Sequence, residues 1–127
     1  MSKQTPHILI VEDTVDVAEI IKLAFRRTEL FIHHELNGMD GLKYLETNLP
    51  DVIVLDLGMP GLSGWEFLDR VRLVDHLKNI PVIILTAHVD AENRQISKRY
   101  NVAAYLHKPI DLGALRNAID DSIYLKR

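Results

Sequence analysis

Along this chain short apolar runs alternate with longer stretches in which apolar residues return every three or four positions. His7-Ile8-Leu9-Ile10-Val11 is a compact run that stops at Glu12-Asp13. The stretch over about 14–27 then places Val17, Ile20, Ile21, Ala24 and Phe25 on one side of a predicted helix. Asp13 or Thr14 is placed to cap it, and Asp16 in its first turn suits the helix dipole. Phe31-Ile32-His33-His34-Glu35-Leu36 reads as a weaker strand, and Asn37-Gly38 as the turn behind it. A second helix over about 39–48 carries Leu42, Leu45 and Leu49, with Pro50 closing it.

Val52-Ile53-Val54-Leu55 is apolar on both alternating faces and delivers Asp56 to a loop, Leu57-Gly58-Met59-Pro60-Gly61-Leu62. A strand with no polar face is one covered by structure on both sides. The predicted helix over about 63–75 starts at Ser63 with Glu66 three residues on, the pattern of a capping box, and turns Leu68 and Val71 inward. Pro81-Val82-Ile83-Ile84-Leu85 is another buried run and ends at Thr86-Ala87-His88. The helix predicted over about 90–100 is mostly polar, with only Ala91, Ile96 and Tyr100 to bury. Val102-Ala103-Ala104-Tyr105-Leu106 is a modest last strand before His107-Lys108-Pro109. Asp111 is placed to cap the final helix, whose stripe is Leu112, Leu115, Ile119 and Ile123.

Five strand–helix pairs in strict alternation predict an α/β fold, a doubly wound parallel sheet with helices on both faces. The runs ending at Val11, Leu55 and Leu85 are apolar throughout and belong in the sheet interior; the second and fifth are weaker and suit its edges. That predicts the flavodoxin-like order 2-1-3-4-5, with a site at the crevice between the first and third strands.

Composition narrows the function classes. The chain has 127 residues, 47% of them hydrophobic and 26% charged, which fits one globular domain over residues 1–127. The net charge of −3 does not indicate a nucleic-acid-binding surface, and the absence of cysteine excludes disulfides and thiolate metal sites. No apolar run approaches a membrane span, and Met1-Ser2-Lys3-Gln4-Thr5-Pro6 lacks the apolar core of a secretory signal. A cytoplasmic protein without membrane or nucleic-acid partners is therefore expected. No linker, repeat or low-complexity segment is evident.

Parallel strands finish at one edge of the sheet, so their terminal residues become neighbours. Here these are Glu12, Asp13, Asp56, Thr86 and Lys108. Clustered carboxylates repel one another. A hard divalent cation such as Mg²⁺, with Mn²⁺ as an alternative, relieves that repulsion and takes oxygen ligands. Lys108 supplies a point charge for a phosphoryl oxygen and Thr86 a hydroxyl donor. Such a set suits phosphoryl transfer, in which positioning and charge neutralisation dominate. Each residue alone has a plainer role: Asp13 as a helix cap, Thr86 in a turn, Lys108 in solvent, and the six histidines as structural or surface groups. His33 and His34 are consecutive in a strand and point to opposite faces, so they form no metal pair.

Over nearly its whole length the sequence resembles the receiver domain of two-component response regulators. The resemblance rests on Glu12-Asp13, on Asp56 followed by Met59-Pro60 and Gly64, on Thr86-Ala87 and on Lys108-Pro109. The spacings agree as well: 43 residues from Asp13 to Asp56, 30 to Thr86 and 22 more to Lys108. The resemblance implies that Asp56 accepts a phosphoryl group from a histidine kinase or histidine phosphotransfer protein. It implies that Glu12, Asp13, Asp56 and the backbone carbonyl of Gly58 hold the metal, and that Lys108 and Thr86 bind the phosphoryl oxygens. Tyr105 takes the aromatic switch position and turns inward with Thr86, and a cis Lys108-Pro109 bond is expected. Gly58 and His88 occupy the positions that tune autodephosphorylation. The fourth helix, fifth strand and fifth helix form the expected output face toward a downstream effector protein, in a monomer or a phosphorylation-dependent dimer.

The chain ends two residues after Leu125, so no output domain is expected. Such a domain is not a conventional enzyme; it promotes only its own phosphorylation and dephosphorylation. Two other readings compete. A receiver-like scaffold that never takes phosphate is opposed by the intact acidic pair, Asp56, Thr86 and Lys108. A small Mg²⁺-dependent phosphatase of the haloacid dehalogenase type also uses an aspartate nucleophile, but it wants a second aspartate two residues on, where this chain has Gly58.

Overall fold

The computed structural model describes residues 5–87 and 91–124. Five strands alternate with five helices: β1 (His7–Val11), α1 (Val15–Phe25), β2 (Phe31–Glu35), α2 (Gly38–Leu45), β3 (Val52–Leu55), α3 (Gly64–Arg72), β4 (Val82–Thr86), α4 (Ala91–Tyr100), β5 (Ala104–His107) and α5 (Leu112–Tyr124). All strand pairs are parallel and the order is β2-β1-β3-β4-β5, as the strand compositions predict. The interior strands β1, β3 and β4 are buried almost throughout, whereas edge strands β2 and β5 are only partly covered.

Alternation of side chains divides the core between the two faces of the sheet. Leu9, Val11, Ile53, Leu55, Val82 and Ile84 pack against Leu45 of α2 and Phe67, Leu68 and Val71 of α3. Ile8, Ile10, Val52, Val54, Ile83 and Leu85 pack against Ile21 and Phe25 of α1 and Leu115 and Ile119 of α5. The sheet is thus clamped from both sides, and its carboxyl edge is left as the place where loops converge.

Several helix faces differ from those predicted. On α1 the buried residues are Ala18, Ile21 and Phe25, while Ile20 and Ala24 face outward. Ala18 is fully buried although it is small, so the inner face of the helix does not follow the largest apolar side chains. Helix α2 stops at Leu45, and Leu49 is exposed beyond it. Asn37 is no simple turn residue, for its side chain accepts from the Asp40 N–H and caps α2. Thr14 is the N-cap residue of α1 without a side-chain capping bond. The capping box of α3 is present as expected, an arrangement worth about 1 kcal/mol. Asp111 Oδ1 accepts from the Ala114 N–H at the start of α5, whose Leu112 is exposed.

Helix α4 buries Ser97 rather than a hydrophobic residue, with Ile96 and Tyr100 half-covered and Ala91 exposed. Polar and aromatic contacts fasten it to α3. The Trp65 indole N–H donates to Asn93 Oδ1 at 2.8 Å, Trp65 stacks on Tyr100 at 5.1 Å, and the Tyr100 hydroxyl donates to Asp69. Asn101, at φ 53°, ends the helix in the left-handed region that Asn tolerates better than most residues.

At the amino edge of the sheet His7 is enclosed by groups from three neighbours. Its backbone N–H donates to Asp51, its Nε2 lies 2.7 Å from the Tyr44 hydroxyl, and its ring stands 5.1 Å from that of Phe31. His33, stacked on Tyr44 at 3.9 Å, completes the cluster. Burial lowers the His7 pKa; Asp51 opposes this and His33 adds to it. The unfolded chain therefore takes up this proton first, so the stability His7 contributes is present above about pH 6.5 and is lost as pH falls through its lower folded value. Thermal unfolding midpoints are expected to drop between about pH 7 and pH 5, and less steeply in His7→Gln. Equal slopes in the two proteins would remove the attribution.

Candidate functional site

β1, β3, β4 and β5 each end at, or one residue before, a residue predicted to carry chemistry, and the parallel register brings these ends together. Val11 pairs with Leu55, Leu55 with Ile84, and Thr86 with His107. Glu12 and Asp13 therefore follow β1 beside Asp56 after β3, with Thr86 closing β4 and Lys108 just past β5. The Lys108 N–H donates to the Thr86 carbonyl at 2.9 Å, which ties the last two ends to each other. Lys108-Pro109 is cis, as expected.

Glu12 and Asp56 are buried and Asp13 is exposed, and their nearest carboxylate oxygens all lie within 4.8 Å of one another. The Lys108 ammonium reaches across the group. It stands 3.1 and 3.2 Å from the two Glu12 oxygens and 3.3 Å from Asp56 Oδ2. Two backbone N–H groups also serve the carboxylates: Thr14 donates to Glu12 Oε2 at 3.0 Å and Gly58 to Asp56 Oδ1 at 3.2 Å.

The electrostatics show what this arrangement leaves unsettled. Burial first, and the charge of Asp56 second, push the Glu12 carboxyl above its ordinary value, against the Thr14 and Lys108 bonds that favour the charged form. Burial works to lower the pKa of Lys108, but its bond to Glu12 and the charges of Asp56 and Glu12 prevail and raise it. The ammonium is thus firmly charged, yet it does not offset the crowding of the acids. Formally three carboxylates face one ammonium, an excess of two negative charges. A divalent cation matches that excess. Octahedral Mg²⁺, with oxygens about 2.0–2.1 Å away, holds its ligands within about 4.2 Å of each other, so the three carboxylates need only a slight inward adjustment. The donor set, oxygen only, also fits Mg²⁺.

Tyr105 lies on β5 opposite Ile84, two residues before Thr86, and so shares a sheet face with Thr86. It is half-buried, and the Arg94 guanidinium of α4 stands 5.2 Å from its ring centre. A groove of about 240 Å³ between α4, β5 and α5 is lined by Arg94, Tyr105, His107 and Asp111. Gly58 is exposed beside Asp56. His88 lies outside the described residues. Trp65, which follows the Asp56 loop, points to α4 through its bond to Asn93.

One contact was not legible in advance. His34 Nε2 lies 2.7 Å from the backbone carbonyl of Glu12. Its alternation with His33 gave its face, but only the β1–β2 register, with Val11 opposite Glu35, places it beside Glu12.

Comparison with known proteins agrees with this geometry. The family model for the response regulator receiver domain matches residues 8–120. The chain is 31% identical over 119 residues to sporulation initiation phosphotransferase F of Bacillus subtilis, covering 94% of each chain. Among solved structures, the receiver domain of Francisella response regulator 1452 superposes with a TM-score of 0.86 at 30% identity, over 96% of this chain and 99% of that one. The bacteriophytochrome response regulator AtBRR does so with a TM-score of 0.81 at 27% identity, over 98% of each.

Proposed function

Since the chain belongs to the receiver domain family of two-component response regulators, whose members are phosphorylation-gated signalling modules, we propose that its switch is phosphorylation of Asp56. The observation that carries this is the convergence of Glu12, Asp13, Asp56 and Lys108 at one sheet edge, with an excess of negative charge that a divalent cation would balance.

Glu12, Asp13 and Asp56, with the Gly58 carbonyl, are the residues that would hold Mg²⁺, or Mn²⁺ in its place. When bound, the ion neutralises charge on the phosphoryl oxygens and on the carboxylates. The chain's own residues do the rest. An oxygen of Asp56 attacks the phosphorus of a phosphohistidine on a histidine kinase or histidine phosphotransfer protein. The P–N bond breaks, and the imidazole leaves with its electron pair and takes a proton. Lys108 transfers its attention from the two carboxylates to a phosphoryl oxygen, and Thr86 donates to another. Water later attacks the phosphorus, the bond to the Asp56 oxygen breaks to return the carboxylate, and inorganic phosphate leaves, a step in which the open position at Gly58 and the side chain of His88 set the rate.

The output follows from the same contacts. An acyl phosphate on Asp56 brings charge of the order of −1.5 to −2 and new acceptor oxygens past the end of β3, beside Thr86 at the end of β4. Drawing Thr86 toward it opens room on the face that Tyr105 shares, and Tyr105 is in contact with Arg94 of α4. Helix α4 is fastened by a few polar and aromatic contacts rather than by a broad apolar face, so it can move at modest cost. The surface of α4, β5 and α5 is then the one read by a downstream effector protein. No described helix is long and apolar enough to cross a membrane, and a cytoplasmic location suits a phosphohistidine donor.

The test is incubation with acetyl phosphate followed by intact mass measurement. A gain of one phosphoryl group is expected with Mg²⁺ and not with a chelator. A wild-type protein that gains nothing in either condition sinks the proposal.

A further inference from the structure

Glu12 is the most constrained of the clustered acids, and its constraints come from two directions. Its carboxylate is held by the Thr14 N–H and by Lys108. Its backbone is held by β2: the Glu12 N–H donates to the Glu35 carbonyl at 3.1 Å, and its carbonyl lies 2.7 Å from His34 Nε2. A carbonyl can only accept, so the imidazole must carry a proton on Nε2 and donate it. The regular β1–β2 ladder ends with Val11 opposite Glu35. Beyond it β2 has turned toward α2, and the imidazole reaches forward to bond a residue that lies past the strand. The two preceding strand pairs fix where that imidazole starts, since His34 is in register with Ile10, a fully buried residue of β1.

We infer that His34 is a positioning residue of the cation site, which through the Glu12 backbone holds the Glu12 carboxylate where a divalent cation needs it. This rests on the reading of the acidic cluster as a cation site. Glu12 is a costly residue to hold there, being a buried acid next to Asp56. A chain freed at the Glu12 carbonyl can rotate the Glu12–Asp13 peptide, which displaces Asp13 and the Thr14 N–H that holds the Glu12 carboxylate. Groups that orient a ligand from behind commonly govern metal affinity by about 10–100-fold. His34 acts on the backbone rather than on the ligand atom, so the low end of that range is expected.

The experiment is a Mg²⁺ titration of the full chain followed by the backbone amide signals of Thr14 and Gly58, in wild type, His34→Leu, His34→Gln and Asp13→Ala. The Gln amide nitrogen can take the place of Nε2 as a donor, whereas Leu keeps the bulk and has no donor. Half-saturation is expected to move up about tenfold in His34→Leu and to stay near the wild-type value in His34→Gln. Thermal unfolding without Mg²⁺ is measured alongside, and the titrations are run at a temperature at which every variant is fully folded. A His34→Leu protein that binds Mg²⁺ like wild type overturns the inference alone, as does a folded His34→Gln as weak as His34→Leu. A wild type that shows no saturable Mg²⁺ response, or one that Asp13→Ala shares in full, overturns the cation reading and the inference with it.

Discussion

Asp56→Asn is expected to abolish the phosphoryl adduct formed from acetyl phosphate, while Lys108→Ala slows its formation by roughly 10²–10³-fold without abolishing Mg²⁺ binding. The two changes act on different parts of the reaction. An amide has no charged oxygen to attack phosphorus, but its Oδ1 can still accept from the Gly58 N–H, so the loop after β3 keeps its anchor. Lys108→Ala leaves Asp56 in place and removes the ammonium that would neutralise the phosphoryl oxygen. It also removes the cation that competes for Glu12 and Asp56, to which its Nζ is bonded at 3.1–3.3 Å. Mg²⁺ should therefore bind Lys108→Ala several-fold more tightly even as phosphorylation slows. Intact mass against time and a Mg²⁺ titration measure both. An adduct in Asp56→Asn equal to wild type would move the acceptor elsewhere, and a loss of Mg²⁺ binding in Lys108→Ala would give that lysine a structural rather than a chemical role.

The parts of this site that were legible in the chain were those carried by strand ends. Asp56 and Thr86 end buried apolar runs, and a parallel sheet puts such ends side by side whatever the helices do. The helix faces are less legible because apolar spacing does not say which apolar residues touch the sheet. In α1 Val15, Ile20 and Leu23 are exposed while small Ala18 is buried. In α4 the buried residue is Ser97, whose hydroxyl donates to the Arg94 carbonyl and so needs no partner outside the helix. The Trp65–Asn93 and Tyr100–Asp69 bonds join residues 28 and 31 positions apart, and no local pattern announces them. His34 is of the same kind: its role depends on register, not on composition.

These unpredicted contacts bear on how the switch works. The acidic cluster is built on strand ends and tied by backbone bonds, such as those from Glu12 to Glu35 and from Lys108 to Thr86. The α4 side of the molecule is joined to α3 by discrete side-chain bonds that can be exchanged one at a time. On the proposed reading, firm anchoring at the acidic cluster preserves geometry for chemistry, and a lightly fastened helix would convert a small displacement of Thr86 into a change of surface. The division follows from which strands are interior, since β5, the strand beside α4, is an edge strand with partial burial.

Gly64→Ala tests how tightly the loop that carries Asp56 is packed. Gly61, at φ 76°, turns the chain back in a conformation that favours glycine, and Ser63 then starts α3. The Gly64 N–H donates to the Leu57 carbonyl at 3.1 Å, so the first turn of α3 lies directly on the loop behind Asp56. A Cβ at Gly64 would stand 2.6 Å from the Asp56 carbonyl oxygen and 2.7 Å from the Leu57 Cα. Both are backbone atoms next to a buried strand, and neither can rotate away. Overpacking of this kind costs about 1–3 kcal/mol and sometimes more. The relief open to the chain is to lift α3 or to push Asp56 toward Lys108. Gly64→Ala is therefore expected to lower stability in denaturant unfolding by about 2–3 kcal/mol and also to weaken Mg²⁺ binding in the protein that remains folded. By contrast, Gly61→Ala meets no neighbour within 4 Å and carries only the conformational penalty of its φ, so it should leave Mg²⁺ binding unchanged. If Gly64→Ala matches wild type in both measurements, helix α3 does not brace the Asp56 loop, and Asp56 is held by its strand and its bonds to Val11, Gly58 and Lys108 without it.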